Sequence, residues 1–180
     1  MNLPNKITIF RICLIPVFLF FLLDDSIPNG DYISAAVFVV ASLTDFADGY
    51  IARKYNLVSN FGKFMDPLAD KLLVCSALIC FVQLDLVPAW IIIVIISREF
   101  IISGFRLVAS DNGVVIAASY WGKFKTTAQM IMSVLLIVNF DGVVFNTLEQ
   151  VFIYISLVLT VVSLIDYLYK NRKVLSDGSK

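Results

Sequence analysis

The sequence predicts an all-α, polytopic membrane protein with six transmembrane helices and both termini in the cytoplasm. Three observations carry this. The chain of 180 residues is 59% hydrophobic, against about 45–50% apolar for a soluble domain. Its apolar residues gather into six segments of about twenty, the length that crosses a hydrocarbon core of about 30 Å. Its basic residues fall on alternate connectors, and the remaining connectors are acidic.

The first segment runs from about Thr8 to Leu23, behind a short polar start. No small-residue cleavage site follows it, so it reads as a retained helix rather than a signal peptide. The turn signal Ile27-Pro28-Asn29-Gly30 leads into the second segment, Tyr32 to Arg53. A short polar connector separates it from the third, Gly62 to Val82. The fourth starts at Pro88 and ends near Ser110, before Asp111-Asn112-Gly113. The fifth covers Ala117 to Phe140, and after Asp141-Gly142 the sixth covers Thr147 to Tyr169. No polar stretch is long enough for a soluble domain, so residues 1–180 read as one membrane domain.

Orientation follows from charge. Lys6, Arg11, Arg53, Lys54, Lys63, Lys170, Arg172, Lys173 and Lys180 fall on one side of the six crossings or within a few residues of it. The opposite connectors hold Asp24, Asp25, Asp31, Asp85 and Asp141 and no Lys or Arg. The positive-inside rule then places both termini in the cytoplasm.

Composition also excludes chemistry. There is no histidine, which removes histidine ligands, histidine bases and Ser-His triads together. Cys13, Cys75 and Cys80 all lie in apolar segments and read as small buried hydrophobes. Nothing in the chain suggests a nucleic-acid partner; its surroundings are membrane lipids.

Against this background four aspartates stand out. Asp45 and Asp48 lie in the second segment, Asp66 and Asp70 in the third. At 100° per residue Asp45, Asp48 and Ala52 share a face, with Gly49 beside it. Gly62, Asp66 and Asp70 are each four apart and form a second stripe. The short connector makes the two helices antiparallel neighbours, so both stripes can face one pocket, about 12 Å deep and open to the cytoplasm. Four unpaired carboxylates there would cost on the order of 10 kcal/mol to insert, as much as a whole domain's stability. Lys63 and Lys71 sit elsewhere on their helix or reach for the surface. Hard divalent cations, Mg²⁺, Mn²⁺ or Ca²⁺, are the natural counter-ions for oxygen ligands, and two of them can clamp a diphosphate. Small residues Gly49, Ala52 and Gly62 leave room for it. The proline at Pro67 predicts a late start or bend in the third helix. The competing readings are a buried Asp–Lys/Arg network that fixes helix packing, and a carboxylate pathway for ions or protons.

The pattern Asp45-x-x-Asp48-Gly49-x-x-Ala52-Arg53, eight residues, Gly62-x-x-x-Asp66-x-x-x-Asp70 resembles the signature of the CDP-alcohol phosphatidyltransferases at every fixed position. The resemblance implies that Asp45, Asp48, Asp66 and Asp70 hold a pair of divalent ions on the diphosphate of CDP-diacylglycerol. It implies that Asp70 is the base for the incoming alcohol. Asp48, Gly49, Ala52, Arg53 and Gly62, with Asn5 and Thr8, would lie near the nucleotide half.

The acceptor is narrowed by charge. Arg98 and Arg106 are eight apart in the fourth segment and lie on one side of it. Lys123 and Lys125 open the fifth. Four basic groups near a cytoplasmic cavity favour an anionic acceptor bound through its phosphate. For Arg98 the alternative is a salt bridge to Glu99 or to an aspartate. For Lys123 and Lys125 it is snorkelling at the interface. Further matches are Asn2-Leu3-Pro4-Asn5-Lys6-Ile7-Thr8 with Arg11 and Pro16, Lys63 to Lys71, Ser97-Arg98-Glu99, and Gly122-Lys123-x-Lys125-Thr126 with Gln129. These resemble the members of the family that take glycerol 3-phosphate. The first and sixth segments match only in hydrophobicity.

The expected reaction joins glycerol 3-phosphate to the phosphatidyl group and releases CMP, in a bacterial cytoplasmic membrane with the site facing the cytoplasm. The sequence leaves a homodimer open. Within the family the rivals are cardiolipin synthesis and phosphatidylinositol-phosphate synthesis. Outside it the rival is a divalent-cation transporter, which would need polar groups continuing to the outer face.

Overall fold

The structure, a computed structural model, describes residues 3–24, 26–54, 60–111, 116 and 119–172; at 3–4, 45–54, 60–64, 66–67 and 111 it describes the backbone alone. Among the described residues there are six helices and no strand. They are α1 (Leu3–Leu23), α2 (Gly30–Lys54), α3 (Asn60–Gln83), α4 (Ala89–Asp111), α5 (Tyr120–Val138) and α6 (Val143–Lys170). The all-α class expected from the apolar segments is borne out, and each helix overlies one of them. Two, spanning Asn5–Leu23 and Val143–Lys170, are long and apolar enough by themselves to cross a membrane. α4 carries Arg98, Glu99 and Arg106, and α3 carries Lys63, Asp66, Asp70 and Lys71. Charged side chains of this kind lower the mean hydropathy of a helix without shortening it.

Two boundaries differ from the expected ones for identifiable reasons. α1 starts five residues early because Pro4 falls in its first turn, where a missing N–H would have no helical partner anyway. α3 begins at Asn60, seven residues before Pro67, so the proline does not delay the helix.

The chain divides into two compact units. The first comprises Met1–Leu86 with Ser133–Phe140. Here α1 packs against α2 and α3, and α2 against α3. The buried face of α1 is Asn5, Thr8, Arg11, Ile15, Phe18 and Leu22. The steps of three and four are those of one helical stripe. Phe18 meets Phe38 of α2 with ring centroids 5.6 Å apart. Ala35 and Ala41 on α2, and Ala69 and Ala77 on α3, are buried, and such small side chains let helix backbones approach in a membrane.

Among the described glycines the tightest approach is at Gly30, the first residue of α2. A Cβ there would lie 2.8 Å from the carbonyl oxygen of Phe21. Main chain cannot swing aside as a side chain can. Gly30→Ala is expected to cost about 1–3 kcal/mol, read as a lower thermal midpoint of the purified protein in detergent.

The connectors after α1, α3 and α5 use a common device. Asn29, Asp85 and Asn139 all adopt positive φ (60°, 56° and 45°), a conformation that Asn and Asp tolerate better than most residues. After α3 the N–H of Leu86 donates to the carbonyl of Phe81 (2.9 Å) and that of Asp85 to Val82 (3.2 Å). This is a Schellman ending with Asp85 in the left-handed position usually taken by glycine. After α1, the Ser26 N–H donates to Asp24 Oδ1 (3.0 Å). Hydrogen bonds from the Ser26 side chain and backbone hold the Asp24 carboxyl below its usual range.

The second unit comprises Val87–Met132 with Asp141–Lys180. In it α4 packs against α6. Ile91, Ile92, Ile95 and Ile102 are buried on α4. The buried stripe of α6 is Glu149, Ile153, Ser156, Thr160, Ser163 and Tyr167, unusually polar for an apolar helix. Arg98 bonds Ser163 and Phe105 meets Tyr167 edge-on at 5.6 Å, so residue numbers rise together along α4 and α6. The two helices run parallel, as two even-numbered crossings would.

Candidate active site

In the first unit the acidic motif sits on regular helix. α2 is continuous through Asp45, Asp48, Gly49, Ala52 and Arg53, and α3 through Gly62, Asp66 and Asp70. Of these, Asp70 alone has a described side chain, and it is exposed, one position from buried Ala69. The side chains of Asp45, Asp48, Ala52, Arg53 and Asp66, and the surroundings of Gly49 and Gly62, lie outside the described residues. Among the described residues no three His, Cys, Asp or Glu form a group that could hold a metal. The motif's donors are carboxylates throughout, the oxygen set that suits Mg²⁺ or Mn²⁺ rather than a softer ion.

Helix register places α1 beside this motif. The antiparallel pair meets at Phe18 and Phe38. Seven residues back along α1 is Arg11, and seven forward along α2 is Asp45. Ten residues from the same contact are Thr8 and Asp48. Equal counts mean equal heights, about 10 Å and 15 Å from the aromatic pair. Asn5, Thr8 and Arg11 are all buried. A polar end on an otherwise apolar buried stripe is therefore level with the acidic end of α2.

The second unit gathers two of the expected basic residues, Arg98 and Lys125, around Glu99. Glu99 Oε1 accepts from Arg98 Nη1 at 2.9 Å and also from Lys125 Nζ, tying α4 to α5. Arg98 Nε donates to Ser163 Oγ (3.1 Å) on α6, and Ser163 in turn donates to the carbonyl of Thr160 (3.0 Å). Arg98 and Lys125 are both buried. A Cβ on Gly122 would lie 3.3 Å from Arg98 Nη2, so glycine at that position makes space for the guanidinium.

The other two expected cations are arranged differently. Arg106 is exposed and stands over the Tyr167 ring, 5.8 Å from its centroid. Lys123 is exposed and stands over Tyr120 at 5.5 Å. Both distances suit a cation–π contact, which holds a cation without neutralising it. Of the alternatives weighed for the basic residues, the Arg98–Glu99 bridge is formed, whereas buried Lys125 is not snorkelling. Lys123 occupies the exposed position expected of an interfacial lysine.

Sequence reasoning missed the part that α6 plays here. Ser163 and Tyr167 support Arg98 and Arg106, and Asp166 Oδ2 accepts from Ser119 Oγ (2.6 Å), just before α5. The signal was present: Ser156, Thr160, Ser163 and Tyr167 recur at four, three and four residues in a helix otherwise rich in Val, Ile and Leu. Reading the sixth segment as hydrophobic alone passed over that stripe.

Comparison with known proteins accords with these elements. The family model described as CDP-alcohol phosphatidyltransferase matches residues 1–162. A Bacillus subtilis (strain 168) protein named CDP-diacylglycerol–glycerol-3-phosphate 3-phosphatidyltransferase is 50% identical over 99% of this chain and 99% of its own length. Proteins of the same name from Haemophilus influenzae and Rickettsia felis are 39% and 38% identical, covering 98% and 96% of this chain and 97% and 96% of their own lengths. With its acidic helix pair and a family match over nine-tenths of its length, this chain belongs to the CDP-alcohol phosphatidyltransferase family.

Proposed function

We propose that this protein is a membrane-bound transferase of phospholipid synthesis. It moves the phosphatidyl group of CDP-diacylglycerol to glycerol 3-phosphate, giving phosphatidylglycerophosphate and CMP. The observation that carries the reading is the full-length identity to relatives bearing that enzyme's name. The Arg98–Glu99–Lys125 cluster, with both its cations buried, supports an anionic acceptor.

The chain's own residues divide the work. Asp45, Asp48, Asp66 and Asp70 supply the carboxylates for two Mg²⁺ or Mn²⁺ ions. Such ions, when bound, neutralise the diphosphate and stabilise charge on the departing nucleotide. Gly49, Ala52 and Gly62 leave space for the nucleotide, while Asp48, Arg53, Asn5 and Thr8 orient it. The register that sets Thr8 level with Asp48 supports this grouping. Arg98, Arg106, Lys123 and Lys125 hold the acceptor's phosphate and aim its free primary hydroxyl. Asp70 takes the hydroxyl proton as the new O–P bond forms and the bond to CMP breaks; its exposure suits a group that must meet an incoming reactant. No histidine exists to serve instead.

All six helices cross the membrane in this reading, as one catalytic domain. Both termini and the site face the cytoplasm of a bacterial cell, where glycerol 3-phosphate is available. The parallel run of α4 and α6 supports that alternation. The acceptor is tested with purified protein, Mg²⁺ and labelled CDP-diacylglycerol. Glycerol 3-phosphate should yield phosphatidylglycerophosphate with one CMP released per lipid formed. Preference for phosphatidylglycerol or inositol phosphate, or ion flux without CMP, would assign the protein elsewhere.

A further inference from the structure

The reaction as proposed gives Glu99 no part, yet it engages two of the four acceptor cations. One oxygen, Oε1, takes both Arg98 Nη1 and Lys125 Nζ. An anionic oxygen between a guanidinium and an ammonium is the arrangement a phosphate oxygen adopts in a basic site. Helix register does not produce it, because side chains at adjacent positions of a helix do not face each other. Glu99 and Arg98 meet all the same, and the oxygen they share is the one that Lys125 reaches from α5.

The three side chains are also unequally fixed. Lys125 is 3% exposed, Arg98 10% and Glu99 21%. Arg98 is further secured by Ser163 and sits in the space left by Gly122. The cations are therefore the more deeply anchored, and the carboxylate is the most exposed of the three.

We propose that Glu99 is an internal stand-in for the acceptor's phosphate. In the resting protein its carboxylate occupies the anion position between Arg98 and Lys125, and the phosphate of glycerol 3-phosphate displaces it. This rests on the reading of Arg98 and Lys125 as acceptor-binding groups. The arrangement never leaves two buried cations uncompensated, which would be strongly unfavourable. It also sets a threshold for entry. A phosphate dianion outcompetes a single carboxylate, whereas a neutral alcohol or a weakly held monoanion does not. Glu99 would thus select for phosphorylated acceptors by competing with everything else.

The test is Glu99→Gln in the full-length protein, which keeps the shape and removes the competing charge. The KM for glycerol 3-phosphate and the inhibition constant of inorganic phosphate are both expected to fall, by about tenfold. Inorganic phosphate should also raise the thermal midpoint of Glu99→Gln more than that of the unaltered protein. A KM that rises or stays the same would overturn the proposal and leave Glu99 as a fixed brace. Should Glu99→Gln not fold in detergent, Glu99→Asp serves: its shortened side chain grips the cations less well, so KM should again fall, and a rise would count against the idea. Lys125→Ala separates the two layers. An unchanged KM there would remove the acceptor reading itself, whereas a raised KM without a gain in the Glu99 variants would remove the stand-in alone.

Discussion

Asp70→Asn is expected to lower kcat by about 10²–10⁴-fold, the usual contribution of a positioned general base, while CDP-diacylglycerol still binds. Asparagine matches the carboxylate in size and cannot accept the hydroxyl proton. Asp70 is also one of four candidate metal ligands, and the two roles separate experimentally. Loss of a ligand is offset by raising Mg²⁺, whereas loss of a base is not. Rates measured across a Mg²⁺ series should stay low in Asp70→Asn at saturating metal. Recovery there would make Asp70 a ligand only, and unchanged turnover would remove it from the site. Its exposure on α3, one position from buried Ala69, is what makes the role physically available.

The second large effect is expected at Arg98, where α4, α5 and α6 converge through Ser163, Glu99 and, by way of Glu99, Lys125. Arg98→Ala leaves Glu99 with one cation and Ser163 without its donor, an expected loss of about 3 kcal/mol of stability, at the low end for a broken buried pair. Arg98→Lys is the sharper probe. It keeps the charge but lacks the planar fork that reaches Ser163 and Glu99 together. Most of the stability should return, while kcat/KM for glycerol 3-phosphate falls about 10–100-fold and the KM for CDP-diacylglycerol stays unchanged. Equal losses for both substrates would mean that Arg98 shapes the helix packing rather than the acceptor site.

The fold was legible in the sequence because the membrane leaves few choices. An apolar run of twenty residues must satisfy its own backbone, so helix is the only local answer. That reasoning found the six helices of the described residues, with ends misjudged where a rule is positional. The short polar start was left outside the first helix, but Pro4 is harmless in a first turn. Val143 and Val144, 84% and 70% exposed, form an early turn of α6 that the apolar count began only at Thr147. The left-handed Asp85 was missed because Asp carries a weaker turn signal than the glycine that usually fills that place.

The acidic motif was legible for a different reason. Carboxylates in an apolar setting are so costly that their spacing has to be explained. The basic half of the site was only partly legible. Arg98, Arg106, Lys123 and Lys125 were visible as charges, but a linear sequence does not reveal which partner each has chosen. The Arg98–Glu99 bridge was among the alternatives weighed, but that Lys125 joins it from another helix was not visible. Ser163 and Tyr167 were hidden because hydroxyl-bearing side chains barely alter the mean hydropathy of a helix.

The account turns on α2 and α3 presenting their aspartates to bound divalent ions. Mn²⁺ titrated into purified protein with CDP-diacylglycerol, followed by electron paramagnetic resonance, examines this without depending on turnover. The expected result is two bound Mn²⁺ per chain with the spin coupling of neighbouring ions, both greatly weakened in Asp66→Asn. Mn²⁺ that fails to bind, or that binds equally well after Asp66→Asn, would contradict it.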